Sequence, residues 1–200
     1  TSLNAVGASA GVAAATAALA LGATGATAGT TCPGTVVYPF SQWGDTNPYI
    51  LAPGGNFEGS TSWTFAGGAT IVSGNEPFFV GRKKDKKSLS LPAGASATSP
   101  KICATLLSPT IRFFAVGGSS TSAVEVDVIA TLPDGSVVTQ QIAKIGASPA
   151  WSPTPTVYFF ANLLSLASSE GTTSVQFRFT PTGSAGWQMD DFYVDPRKGN

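Results

Sequence analysis

The chain contains no histidine, and only 11% of its residues are charged. Without imidazole there is no Ser-His-Asp or Cys-His catalytic arrangement, and the commonest nitrogen ligand for a transition metal is missing. The two cysteines, Cys32 and Cys103, form no C-x-x-C motif, so the pattern of a zinc or iron–sulfur site is absent. Basic and acidic side chains number 11 each and cancel to a net charge of zero, which gives no electrostatic ground for nucleic acid or an acidic membrane as partner. No glycine-rich phosphate loop stands between a strand pattern and a helix pattern. The adjacent carboxylates Asp190 and Asp191 are expected on opposite faces of one strand, where they make a poor acid–base couple. An enzyme is not expected.

Charge is also missing locally: no charged side chain precedes Asp45, and half of the residues from Ala5 to Ala28 are alanine. Three readings of this segment stand side by side. Ala26-Thr27-Ala28 has the small-x-small pattern of a signal-peptidase site, so the segment reads as an export signal, although no basic n-region precedes it. It also reads as a retained assembly helix, in which Gly7-x-x-x-Gly11 and a ridge through Ala14, Ala18 and Leu21 allow close helix approach. The third reading is an extended strand added to a neighbouring subunit. Ala13 to Leu21 has strong helix propensity, and Gly22, Gly25 and Gly29 with intervening threonines would end a helix there. No Trp, Tyr, Lys or Arg anchors flank the segment as they would a membrane span.

The rest of the chain is long enough for one domain with a real core. Its abundant Gly, Pro, Ser and Thr, with Val- and Phe-rich apolar runs, are the composition of a β-rich extracellular domain. Strands are predicted at 35–40, 63–65, 69–72, 78–80, 88–91, 110–116, 123–132, 136–144, 156–160, 173–180 and 187–194, with a long loop at 41–56. Pro39 confines the first to a sheet edge, and Pro133-Asp134-Gly135 marks a hairpin turn. Val124, Val126, Val128 and Ala130 alternate with Glu125 and Asp127, and Val175, Phe177 and Phe179 alternate with Gln176 and Arg178. Ala161 to Ser168 reads as a helix of two turns at most. Trp63 and Trp187 read as core. An even cysteine pair in an exported chain reads as a Cys32–Cys103 disulfide, stabilising by roughly 4 kcal/mol, the alternative being two free buried thiols.

Two segments carry a family signal. Gly55-Asn56-Phe57-Glu58, followed by Trp63, and the last strand, Gly186-Trp-Gln-Met-Asp-Asp-Phe-Tyr-Val194, resemble the opening and closing motifs of jelly-roll carbohydrate-binding modules of the galactose-binding-like superfamily; Ser88-Leu-Ser-Leu91 fits a strand between them. Trp43-Gly-Asp45, Gly74-Asn-Glu-Pro77 and Ser88–Pro92 also resemble a group of secreted actinobacterial proteins. The resemblance implies an all-β antiparallel sandwich. It also implies a structural calcium held where the first and last strands meet, with Glu58 and Asp190 as its carboxylates and Asp190 on the same face as Phe192 and Val194. The alternative for these two carboxylates is satisfaction by backbone N–H groups or by arginine.

Sugar binding needs aromatics that stack on pyranose faces beside polar groups. The candidates are Trp43, Tyr49, Trp151 and Tyr158, with Asp45 and Asn47 nearby; the alternative for each is local packing. The run Arg82-Lys-Lys-Asp-Lys-Lys87 reads as a solvated loop, or as a contact for an acidic edge or anionic glycans. The expectation is thus an apolar N-terminal segment, 1–31, followed by a β-sandwich, 32–200. Its expected role is that of a self-assembling, pilin-like filament subunit at the cell surface, with copies of itself as partners and surface glycans as a further partner class. The alternative is a secreted carbohydrate-binding module with a residual signal peptide.

Overall fold

The computed structural model describes residue 1 and residues 32–107 and 110–195. The readings placed on Gly7, Gly11, Ala14, Ala18 and Leu21 lie outside the described residues. The strands are β1 (Val36–Val37), β2 (Tyr49–Leu51), β3 (Thr64–Ala66), β4 (Thr70–Ser73), β5 (Lys87–Leu91), β6 (Ser96–Thr98), β7 (Ile102–Thr105), β8 (Thr110–Gly117), β9 (Ala123–Thr131), β10 (Val137–Gly146), β11 (Ser148–Pro153), β12 (Val157–Tyr158), β13 (Thr172–Thr182) and β14 (Trp187–Val194). They form two antiparallel sheets. One runs β1-β2-β14-β5-β4, with β8 on the other flank of β14 and β11 and β12 paired to β8. The other runs β10-β9-β13-β6-β3, with β7 also paired to β13.

The alternation read from sequence sets the faces. Val124, Val126, Val128 and Ala130 are buried, and Phe177 and Phe179 stand opposite Val128 and Val126 across the β9–β13 ladder. On the outward face the same register places Arg178 against Asp127, joined at 2.7 Å. Trp63 and Trp187 are core residues. Between the sheets, Phe113, Phe177, Phe179 and Phe192 meet edge to face, at centroid distances of 5.2 Å for Phe113–Phe179 and for Phe179–Phe192, a geometry that adds to their area burial. The Pro133–Gly135 turn closes β9–β10, with the Gly135 N–H donating to Leu132 O and Asp134 accepting from the Ser136 N–H. The expected short helix is a 3₁₀ helix, Ala161–Ala167.

Cys32 and Cys103 are disulfide-bonded, with Cα atoms 5.5 Å apart. Cys103 lies on β7 opposite Ser174 of the central strand β13, so the bridge ties the entry of the domain to its middle. The opening and closing motifs of the resemblance also meet. Gly55 O accepts from the Phe192 N–H of β14 while Phe192 O accepts from the Ala52 N–H, and a Cβ at Gly55 would lie 2.7 Å from Phe192 O, so the close approach requires glycine there.

Three features differ from the sequence reading. Short strands β2, β6, β7 and β11 arise in stretches too brief or too rich in proline to show alternation. The strand expected at Phe78–Val80 is a loop, because the Glu76 carboxylate accepts the three amides of Phe78, Phe79 and Val80 that a neighbouring strand would have taken. The third difference is in β14, whose pairing with β8 slips between Asp190 and Tyr193, where Asp191 has φ +48°. The core face therefore carries Trp187 and Met189, then Phe192 and Val194. Asp190 does not continue the Phe192 face; it stands opposite Phe114, whose ring belongs to a second aromatic cluster outside the sandwich. Nor do the two aspartates simply point to opposite faces. Both are buried, and the Asp191 N–H donates to Asp190 Oδ1 at 2.8 Å.

Candidate functional site

Five of the six residues expected to stack on or contact sugar belong to one packed group on the first sheet. Phe40, Tyr49, Phe114 and Tyr193 form a buried cluster on the outer face of the first sheet, and Trp43 and Trp151 pack against it. Phe40 stacks on Phe114 at 5.3 Å, while Trp43 meets Phe78 at 4.8 Å. Asp45 organises this plug. It accepts from the Asn47 N–H, from the Tyr49 hydroxyl at 2.7 Å and from Arg112 Nη1 at 2.6 Å. Burial alone would raise the Asp45 carboxyl; the Tyr49, Asn47 and Arg112 donors outweigh it and hold the group below the usual carboxylate range. The Arg112 guanidinium also lies 4.6 Å over the Phe40 ring. Burial, then the Asp45 carboxylate, pushes the Tyr49 hydroxyl well up. Trp43, Asp45, Asn47, Tyr49 and Trp151 thus cover the sheet face.

Tyr158 lies elsewhere. Where β10, at the edge of one sheet, faces β11 and β12, at the edge of the other, the sandwich opens into a cleft of about 600 Å³. Pro149, Pro153 and Pro155 explain the opening. Without N–H groups they cannot extend the ladder toward β10, and both flanking pairings are irregular, at Gln141–Ala143 and at Ser148–Ser152. Ile142, Ile145 and the exposed Tyr158 line the cleft with the buried Trp187. Lys144, Ser148, Ser152 and Thr154 supply polar atoms. The Trp187 Nε1–H is buried and has no hydrogen-bond partner among the described residues.

A buried acidic group lies at the other edge. Asp190 accepts the Glu76 N–H, and Glu58 accepts the Lys86 and Lys87 amides, so the two carboxylates expected to share a calcium ion are each satisfied by backbone instead. The buried carboxylate oxygens without partners are Asp85 Oδ2 and Asp191 Oδ1. They flank Gly81, where a Cβ would stand 2.9 Å from the first and 3.4 Å from the second. Burial, then the Asp191 charge, raises Asp190 to about 9. Burial, then the Glu76 and Asp85 charges, raises Asp191 to about 7, and burial raises Glu76 and Asp85 as well. Among the described residues, no group of three or more His, Cys, Asp or Glu side chains is arranged to hold a metal ion.

No protein-family model matches the chain, and no curated protein matches it by sequence. Solved structures do match in shape. The tandem CBM22-1–CBM22-2 domains of Paenibacillus barcinonensis Xyn10C are similar at 15% identity and a TM-score of 0.50, over 76% of this chain and 46% of that one. The chain has the jelly-roll fold of the carbohydrate-binding modules. The CBM22-1 xylan-binding domain of the same Xyn10C (16% identity, TM-score 0.47, 72% of this chain and 93% of that one) and TmCBM61 in complex with β-1,4-galactotriose (14%, 0.45, 72% and 96%) are similar more weakly. Likeness at this level carries the fold and not the ligand.

Of the aromatic residues that the sequence offers as sugar contacts, Tyr158 is the one at the open cleft, and its neighbours there carry no sequence signal of that kind. Trp187 is the core residue its sequence context implies, and it is also among the residues that line the cleft. Ser148, Ser152 and Lys144 carry no motif. The available signal was the spacing of Pro149, Pro153 and Pro155, which marks an edge unable to close.

Proposed function

We propose that this chain is an extracellular, non-catalytic carbohydrate-binding module that takes a glycan segment in the lateral cleft between β10 and β11–β12. The observation that carries the reading is the cleft itself: an apolar and aromatic lining with serine, threonine and lysine side chains around it, on a jelly-roll sandwich. Tyr158 supplies a face for a pyranose ring, and Ser148, Ser152, Thr154 and Lys144 meet its hydroxyls. The filament reading rests on the N-terminal segment, and nothing in the described domain supports it.

Affinity electrophoresis against soluble xylan, β-1,4-galactan and mixed-linkage glucan tests the proposal. At least one should retard the wild type. Tyr158→Ala should weaken that binding by about tenfold or more while changing stability by no more than about 0.5 kcal/mol, because the ring is exposed. A wild type that none of the glycans retards, or a Tyr158→Ala variant that binds as well as wild type, overturns the cleft as a glycan site.

A second reading has its own observation. We infer a structural calcium bound through Asp85 and Asp191, whose buried, unpartnered oxygens have the hard-donor chemistry that Ca²⁺ takes, with backbone carbonyls or water completing the shell. Chelation should then lower the melting temperature of the wild type, and calcium should restore it. Asp191→Asn should abolish the response. A melting temperature indifferent to chelator removes the ion from the account.

A further inference from the structure

We propose that the loop Arg82–Lys87 is a second binding surface, specific for polyanionic polysaccharides that carry carboxylate or sulfate groups. This goes beyond the cleft and does not depend on it, since the loop stands next to β4–β5 at the far edge of the same sheet.

The zero net charge of the chain hides a segregation. Glu76, Asp85, Asp190, Asp191 and Asp195 are buried, whereas Arg82, Lys83, Lys84, Lys86 and Lys87 are all exposed. None of these five cations takes part in the ion pairs of the described residues, which join Arg112 to Asp45, Lys144 to Glu125 and Arg178 to Asp127. Asp85 belongs to the loop, Glu58 and Asp191 stand beside it, and Glu76 and Asp190 lie behind Asp191. All but the half-buried Glu58 are buried, and burial raises Asp85, Asp191, Glu76 and Asp190 toward their neutral forms, so the exposed charge at the loop is that of the five cations. The field at the loop surface is therefore positive although the molecule is neutral, and it is concentrated on a single ridge.

The ridge is also held in shape. Glu58 accepts the Lys86 and Lys87 amides, Lys86 O accepts from the Gly74 N–H at 2.7 Å, and Arg82 O accepts from the Asp85 N–H at 3.0 Å. Upstream, the Glu76 carboxylate gathers the amides of Phe78, Phe79 and Val80. A backbone pinned by the half-buried Glu58 and, upstream, by the buried Glu76 loses little further entropy on binding, unlike a mobile lysine tail. Phe78 and Phe79 remain partly exposed beside the cations, at 37% and 45%.

Charge at intervals along a thin chain, next to aromatic faces, suits an acidic polysaccharide. The ring faces stack on the aromatics, and its carboxylates or sulfates reach the lysines. A nucleic-acid duplex is a poorer match, because the loop is short and no helix or strand beside it is placed to enter a groove. The disulfide also belongs to oxidising surroundings, outside the cytosol.

The test uses the full chain and four probes: polygalacturonate, dextran sulfate, uncharged dextran and oligo-dT, measured by affinity electrophoresis and titration calorimetry. At about 50 mM salt, polygalacturonate or dextran sulfate should bind and dextran should not, and raising the salt to about 300 mM should weaken binding by about tenfold or more. The triple variant Lys83→Gln, Lys84→Gln, Lys86→Gln alters exposed side chains only and should keep the wild-type melting temperature while losing at least tenfold in affinity. The proposal is overturned if neither acidic polymer binds at low salt, if the triple variant binds like wild type, or if oligo-dT binds more tightly than both polysaccharides.

Discussion

In the presence of a chelator, the protein is expected to become less stable as the pH rises from about 5 to about 9, a window in which most folded domains are near their stability maximum. The cause is the buried acidic group. Burial and neighbouring carboxylate charge push Asp190 up to about 9 and Asp191 up to about 7 in the folded chain, whereas an unfolded aspartate titrates at about 3.9. Between these values the folded state binds more protons than the unfolded one, so the slope of unfolding free energy against pH is negative. The stabilisation is complete below the unfolded value and is lost as the pH climbs through the folded ones. Each carboxyl held protonated in this way costs about 1.4 kcal/mol per pH unit. The raised Glu76 and Asp85 act with the same sign. The lowered Asp45 acts oppositely, but only in acid. With no histidine in the chain, no imidazole blurs the window. Urea unfolding at several pH values should show the decline. Asp191→Asn should flatten it, because the amide donates to Glu76 as the protonated acid does. A wild-type stability that is flat or rises with pH across this range would contradict the burial of these carboxyls.

Reduction of the Cys32–Cys103 bond should cost about 4 kcal/mol, which for a domain of this size lowers the melting temperature by about 8 to 16 °C. The cysteines are 71 residues apart in sequence, so the bond removes much of the freedom of the unfolded chain. It also fastens the segment before β1, a two-residue edge strand with both residues exposed. Beside the bond, an apolar cavity of about 200 Å³ is lined by Pro33, Ile50, Ile102 and Val194, and reduction would open it to water. Melting curves with and without reductant, and of the Cys32→Ala, Cys103→Ala double variant, measure the effect. A loss below about 1 kcal/mol would show that the entry segment is held by packing alone.

The sandwich was legible in the sequence because strand alternation is local. Val124 to Ala130 and Val175 to Phe179 each declare a buried face without reference to the rest of the chain. The disulfide was legible because two cysteines allow one intramolecular pairing. Much less of the candidate site could be read. Trp43 and Trp151 look like sugar platforms when only their neighbours in sequence are known. Trp43 packs on Phe114 and Phe78, Trp151 packs against the same cluster, and what anchors Asp45 is Arg112, 67 residues away. Tyr158 escaped this fate because the prolines of β11 keep its edge of the sandwich open.

By itself, then, the sequence determined an all-β domain with two inward faces, a hairpin at Pro133–Gly135 and one cross-link, since each follows from residue type and spacing within a few positions. The tertiary structure alone decided which aromatics face solvent, and it turned Phe78–Val80 from a strand into a loop through Glu76, whose own amide is held by Asp190, 114 residues on. It also brought Asp190 and Asp191 inside together, through one slipped residue in β14. Burial, the loss of water around a carboxylate and the competition for backbone amides depend on which distant segments meet, and a periodic pattern along the chain carries no record of that.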